Sequence, residues 1–274
     1  MPTLRGLKLL ETIDVYGPLT VTEIARITEQ DKSWVSRIVR ACESDGWVVR
    51  ESGRIALGPR SALLAHSSAA AEVIRSAQPL MEAVAGVTGL MAQTYTLVGT
   101  RAIVVAAAGG SPLHSAGIGM STSLVATAAG QVVAAQLDAE TLERLLPEEP
   151  FPDPLVELLT NPGYKAFAAG RFVSVADFEP SVPTDRAQLL RRLEQVREQG
   201  VAIDSGDLHP QIGCIAVPWL GATVIASLIC MGTPAEIAAS AARTRAVLQA
   251  AAAPGATRED VVTAAATRHY SVAP

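Results

Sequence analysis

At 274 residues the chain exceeds one typical domain, and its 49% hydrophobic and 18% charged residues argue against global disorder and for two unequal domains. The net charge of −5 is unevenly spread: residues 1–60 hold nine Lys/Arg against eight Asp/Glu, so the acidic excess lies wholly in the remainder, as suits a DNA binder with a focused basic patch. Cys42, Cys214 and Cys230 form no C-x-x-C pair, which argues against a disulfide framework or structural zinc, and with neither a signal-like leader nor 18 consecutive apolar residues the expectation is a soluble, cytoplasmic protein with no membrane partner.

In chain order, Leu4, Leu7, Leu10 and Ile13 repeat at helical spacing up to Gly17-Pro18. Thr20 or Thr22 caps a short second helix, with Glu23 at capping-box distance from Thr20 and Ile24 and Ile27 on its buried face. After the polar turn Thr28-Glu29-Gln30, Asp31 caps a third helix running to about Ser44. Val35, Ile38, Val39 and Cys42 share the core side of that helix, while Lys32, Ser33, Trp34, Ser36, Arg37 and Arg40 occupy the rest. Arg and Lys can reach phosphates or guanine edges, and short hydroxyls permit close approach to a groove, so these six are candidate DNA-binding residues. Trp34 reads equally as a base or sugar contact or as packing. Residues 47–51 and 54–57 then form a hairpin around Ser52-Gly53, a wing with Arg54 at its tip placed to reach the DNA backbone or minor groove.

Residues 61–78, Ala-rich and free of Pro and Gly, read as a connecting helix, and Pro79 opens the next helix, 79–87. Strands 90–98 and 101–108 follow, joined at Gly99-Thr100. The Gly-rich run 109–119 has no Rossmann context and reads as a flexible loop, Pro112-Leu113-His114 included. A turn and helix are expected across Ser123–Gln131, and residues 150–183 are the least readable part. A long helix, 185–199, closes at Gly200, and strands 213–218 and 223–231 lead to a capping box, Thr233-Pro234-x-Glu236, that opens a final long helix, with a short one near 257–267. Asp204, Asp207, His209 and Cys214 supply metal-ligand types, yet read better as a polar loop between a helix and a strand; no metal and no cofactor are expected.

Two groups of motifs carry a resemblance. Gly17-Pro18-Leu19-Thr20, Glu23-Ile24-Ala25-Arg26, Lys32-Ser33, Gly46-Trp47-Val48 and above all Leu57-Gly58-Pro59-Arg60 resemble the winged helix of the IclR family of transcriptional regulators. Downstream, Thr127-Ala128-Ala129-Gly130-Gln131 resembles the family segment Thr-Ala-x-Gly-Lys, and Gly200-Val201-Ala202-Ile203-Asp204 followed by Cys214-Ile215-Ala216-Val217-Pro218 resembles its second signature. The resemblance spans roughly residues 4–265. It implies an α+β chain: a winged helix-turn-helix (1–60), a linker helix (61–78), and a GAF-like domain for effector binding and oligomerisation (79–274) with an antiparallel sheet and helices on its faces. It further implies a homodimer or homotetramer on a double-stranded DNA operator, responding to a small-molecule effector.

The resemblance places the effector between the sheet and residues 120–131, so Leu124, Thr127, Ala128, Gly130, Asp204 and Cys214 carry over as lining. Val125 and Gln131 stand where the family has His and Lys. Two small polar family positions on the last strand align with Ile229 and Met231, or one register away with Leu228 and Cys230; neither pair offers hydroxyls. Each hydrogen bond thus lost to a buried small acid costs about 1–3 kcal/mol, which favours an apolar or aromatic effector. The chain has no G-x-S-x-G, no phosphate loop and no convincing Cys–His pairing, so a regulator is expected rather than an enzyme with a DNA-binding appendage; a regulator without a bound effector is the remaining alternative.

Overall fold

Local capping decides where the N-terminal helices begin. The computed structural model describes residues 2–66, 69–110, 118–154, 178–222 and 224–267, and divides into two units, Met1–Glu72 and Val73–Pro274. In the first, α1 (Pro2–Tyr16) precedes α2 (Val21–Thr28) and α3 (Lys32–Ser44). The Thr20 and Glu23 side chains each accept the other's backbone amide at the start of α2, and Asp31 Oδ1 accepts the Trp34 amide at 2.8 Å at the start of α3. Strands β1 (Val48–Glu51) and β2 (Arg54–Leu57) form the wing. Leu19 and Ile55 exchange both backbone hydrogen bonds, at 3.0 and 2.7 Å, so the turn before α2 is stitched to β2. Leu9, Ile13, Leu19, Ile24, Val35, Val39, Val48 and Ile55 make one buried cluster. Helix α4 (Pro59–His66) follows.

Helix α5 (Ala69–Thr88) runs straight through Pro79, where the sequence pointed to a new helix start. A proline interior to a helix removes one amide donor. Here Val73, Ala77, Leu80, Met81 and Val84 form a continuous buried stripe on both sides of it, and that apolar face outweighs the single lost bond.

The second unit is built on β3 (Met91–Val98), β4 (Arg101–Ala108), β5 (Ser121–Ser123), β6 (Ala202–His209), β7 (Ile212–Pro218) and β8 (Ala226–Gly232). They form one antiparallel sheet in the order β5-β4-β3-β8-β7-β6. Between β5 and β6 come α6 (Ala128–Ala135), α7 (Ala139–Leu145) and α8 (Arg186–Gln199); α9 (Pro234–Ala252) and α10 (Arg258–Ala266) end the described chain. One sheet face packs under α6 and α8 through Tyr95, Cys214, Ala216 and Ile229. The other packs under α5, α9 and α10 through Ala92, Ile215, Leu228 and Cys230. Residues 155–177 and Pro112-Leu113-His114, two stretches the sequence left open or read as loop, lie outside the described residues.

Two further expectations are corrected. Residues 205–209 are not a loop but the second half of β6, with a bulge between Asp204 and His209. Asp204 Oδ1 accepts the amides of Gly206 and Asp207 at 2.9 and 2.7 Å, replacing ladder bonds, and Gly206 takes φ 99°, open to glycine at little cost. Strand β8 starts at Ala226 rather than near residue 223, after a turn in which the Ala222 amide donates to the Trp219 carbonyl at 3.3 Å.

Candidate functional site

On α3, Lys32, Ser33, Arg37 and Arg40 are exposed, Ser36 is half-buried, and Val35 and Val39 are fully buried behind them. The polar side of the third helix is therefore open along four cationic or hydroxyl positions spanning more than two turns. Trp34 is half-buried and packs against the N-terminal core, which favours the packing role over a free-standing base contact. Arg54 does not stand free at the wing tip. Its guanidinium turns back, donating to the Pro18 carbonyl at 2.7 Å and meeting Glu23 Oε2 at 3.3 Å. Arg50 on the neighbouring strand lies 3.5 Å from Glu43 of α3.

In the second unit, the residues expected to line an effector site gather on the sheet face beneath α6. Asp204 and Cys214 are direct cross-strand partners on β6 and β7, and Cys214 is in turn opposite Met231 on β8. Ile229 is buried on that face and Met231 packs partly against it, while Leu228 and Cys230 point into the opposite core. Of the two pairs open from sequence, Ile229 and Met231 are the ones that share the face of Cys214. Leu124 and Ala128 are buried above them. Thr127 caps α6, its hydroxyl accepting the Gly130 amide at 3.1 Å. Gly130 lies close against the turn before α6: a Cβ there would stand 1.9 Å from the Ser123 carbonyl oxygen.

The electrostatics of this face follow from burial. Desolvation raises the Asp204 carboxyl from 3.8 to about 6, with the Asp207 charge adding to it and the amides of Asp207 and Gly206 opposing it. Burial pushes the Cys214 thiol well above its ordinary range, helped by the Asp204 charge and countered by the Ala128 amide, so the sulfur is a thiol rather than a thiolate nucleophile. Burial likewise raises the Tyr95 hydroxyl, which stays protonated and donates to Gln93 Oε1 at 3.2 Å. His209 is buried, its Nδ1 accepting the Gln211 amide at 3.2 Å, and desolvation lowers its pKa. Among the described residues no three His, Cys, Asp or Glu are grouped to hold a metal ion, and no helix is long and apolar enough to cross a membrane.

Comparison with known proteins matches residues 7–54 to the MarR family and residues 171–253 to the bacterial transcriptional regulator IclR C-terminal family. The chain is 26% identical over 219 residues, 78% of its length and 70% of the relative's, to the HTH-type transcriptional regulator BhcR of Paracoccus denitrificans. Its fold is shared with an IclR transcriptional regulator from Alicyclobacillus acidocaldarius (TM-score 0.65, 23% identity, 97% of this chain and 99% of that one). It is shared equally with an IclR homolog from Microbacterium hydrocarbonoxydans solved with 4-hydroxybenzoate (TM-score 0.69, 22% identity, 95% and 97%). Residues 171–253 thus match the C-terminal family of the IclR regulators, and the fold is that of IclR-type structures.

Two residues that the sequence reading passed over, Gln93 and Tyr95, belong to the same face, and Gln131 closes it from α6. Gln93 and Tyr95 reach it from β3, and both are essentially inaccessible to solvent. Gln131, in the place of the family's Lys, donates from Nε2 to the Val125 carbonyl at 2.9 Å and so closes the turn in front of α6. A signal for the first two was present: Gln93 and Tyr95 are the bulky polar residues at alternate positions of an otherwise apolar and hydroxyl-bearing strand.

Proposed function

We propose that the chain regulates transcription by binding a DNA operator through the exposed side of α3, and that a small apolar or aromatic metabolite bound beneath α6 alters that binding. Lys32, Ser33, Ser36, Arg37 and Arg40 supply the groove and phosphate contacts, with Trp34 bracing the helix at their edge. The division of labour follows the sequence: residues 1–60 bind DNA, 61–78 connect, and 79–274 bind effector and assemble a homodimer or homotetramer, whose symmetry sets the half-site spacing. An effector with unequal affinity for two arrangements of that assembly shifts the balance between them.

One observation carries the choice of ligand class. The polar side chains under α6 are already bonded within the protein: Tyr95 to Gln93, Gln131 to the Val125 carbonyl, Thr127 to the Gly130 amide, and Asp204 to the Gly206 and Asp207 amides. What they leave to a ligand is the apolar surface of Val125, Ala128, Ile229 and Met231. A compact keto or aldehyde acid would have to break those bonds to gain its own, at about 1–3 kcal/mol for each group left unpaired. An aromatic acid gains from burial instead, at about 25 cal/mol per Å² of apolar surface. The 4-hydroxybenzoate held by the Microbacterium hydrocarbonoxydans protein belongs to that class.

Calorimetric titration of the purified protein with aromatic acids on one side and glyoxylate and pyruvate on the other tests this. Binding confined to the small keto and aldehyde acids refutes the ligand class. Binding of no compound in either group, with DNA binding intact, favours a regulator that works without an effector.

A further inference from the structure

We propose that Arg54 is a positioning residue of the DNA-binding unit, which clasps the wing to the start of α2, and not a DNA contact. The inference rests on the operator-binding reading above. Its first support is the geometry of the guanidinium. One nitrogen, Nη1, serves two acceptors on the same neighbouring segment, the Pro18 carbonyl at 2.7 Å and Glu23 Oε2 at 3.3 Å. Its second is what lies next along the strand: Ile55 exchanges two backbone hydrogen bonds with Leu19, the residue after Pro18. Side chain and backbone of β2 are thus fastened, at consecutive positions, to consecutive residues of the turn that leads into α2.

The third support is the state of Glu23. Its carboxylate already accepts the Thr20 amide and hydroxyl at 2.7 and 2.8 Å, closing the capping box. Those bonds, with a smaller contribution from Arg54, hold its pKa below the ordinary carboxylate range, so it is charged at any working pH. Moving Arg54 onto a phosphate would strip this carboxylate of its cation and leave it beside a polyanion. The pair is too exposed to add much to global stability, with half of the Arg54 side chain and over a third of Glu23 in solvent. Its effect is on direction. Arg50, one register step away on β1 and on the opposite face of the hairpin, meets Glu43 of α3 in the same manner, so each wing strand is tied by an arginine to a different helix of the unit.

The two roles of Arg54 predict opposite signs for one substitution. Glu23→Gln keeps a side chain able to complete the capping box but removes the charge that holds Arg54. If Arg54 positions the wing, Glu23→Gln weakens binding to a fluorescein-labelled duplex, one selected by the intact protein from a random 30-bp library, by about two- to fivefold. Arg54→Ala does the same, the double variant is no weaker than the weaker single one, and the slope of log affinity against log salt stays as in the parent. If Arg54 contacts phosphate, Glu23→Gln strengthens binding and Arg54→Ala flattens the slope by about 0.9; either result overturns the proposal. Hydrogen exchange on the full chain without DNA decides the clasp independently: the Leu19 and Ile55 amides should exchange about two- to fivefold faster in Glu23→Gln. Unchanged exchange and affinity in both variants also overturn it. Failure to enrich any duplex refutes the operator-binding reading and the DNA role of Arg54 with it, while the exchange result still reports on the clasp.

Discussion

Replacing Asp204 by Asn should make this protein more stable, and only in a defined pH range. Asp204 is 6% exposed, and burial raises its carboxyl from 3.8 to about 6 even though two backbone amides point at Oδ1. A rise of about two units, at about 1.4 kcal/mol each, makes the ionised form cost about 3 kcal/mol in the folded state. Because the folded pKa lies above the unfolded one, that cost is fully present above pH 6. It shrinks as the pH falls through 6 towards 4, and below about 4 the carboxyl is neutral in both states and the cost is gone. Asparagine keeps an oxygen to accept the Gly206 and Asp207 amides, now 2.9 and 2.7 Å from Oδ1, and carries no charge. Urea unfolding followed by tryptophan fluorescence, with Trp219 buried in the same unit, should show Asp204→Asn more stable by up to about 3 kcal/mol at pH 8 and nearly equal to the parent at pH 4. A variant less stable than the parent at pH 8, or a difference that does not change with pH, would refute the account of burial as the dominant influence on this carboxyl.

Other outcomes follow from the same structure. Thr94 Oγ1 is buried and has no hydrogen-bond partner among the described residues; Thr94→Val, nearly the same in volume, should stabilise by about 1 kcal/mol and raise Tm by about 2–4 °C in a thermal melt. Gly130→Ala would drive a Cβ to 1.9 Å from the Ser123 carbonyl oxygen, and should lower stability by about 1–3 kcal/mol in the same melt. Arg37→Ala and Arg40→Ala, both at exposed positions of α3, should each weaken operator binding and reduce the salt slope by about 0.9 in fluorescence anisotropy. Unchanged affinity and slope in both would remove α3 from the DNA interface.

The N-terminal unit was legible because its determinants are local. Thr20 with Glu23, and Asp31 with Trp34, are three residues apart, and each decides a helix start by itself. The apolar spacing that buries Val35 and Val39 lies within one helix. What escaped the sequence reading depends on groups far apart in the chain. Arg54 finds its partners 31 and 36 residues upstream, and nothing near position 54 announces them. Pro79 looks like a helix start until the buried stripe on both sides of it is known. Asp204, Gly206 and Asp207 compose a loop by residue type, and only the ladder resuming at His209 and Ile212 makes them a bulged strand.

The effector face was harder to read for a further reason, which lies in the sheet itself. A sheet covered by helices on both sides has apolar residues at nearly every strand position, so the alternation that separates inside from outside in a half-exposed strand disappears. In β8, Leu228, Ile229 and Cys230 are all essentially inaccessible, yet Ile229 serves the face under α6 and its two neighbours serve the other. Hydropathy cannot tell them apart. Polar residues can, because a buried polar side chain needs a partner, and the partner has to be on its own side. Ser227 donates to the Ala129 carbonyl of α6 at 3.3 Å, and Ile229, two positions on, looks the same way. Tyr95 donates to Gln93, two positions back on β3. In such a sheet the sparse polar residues, paired at intervals of two, carry the register, and they sit where the chemistry of the α6 face is decided.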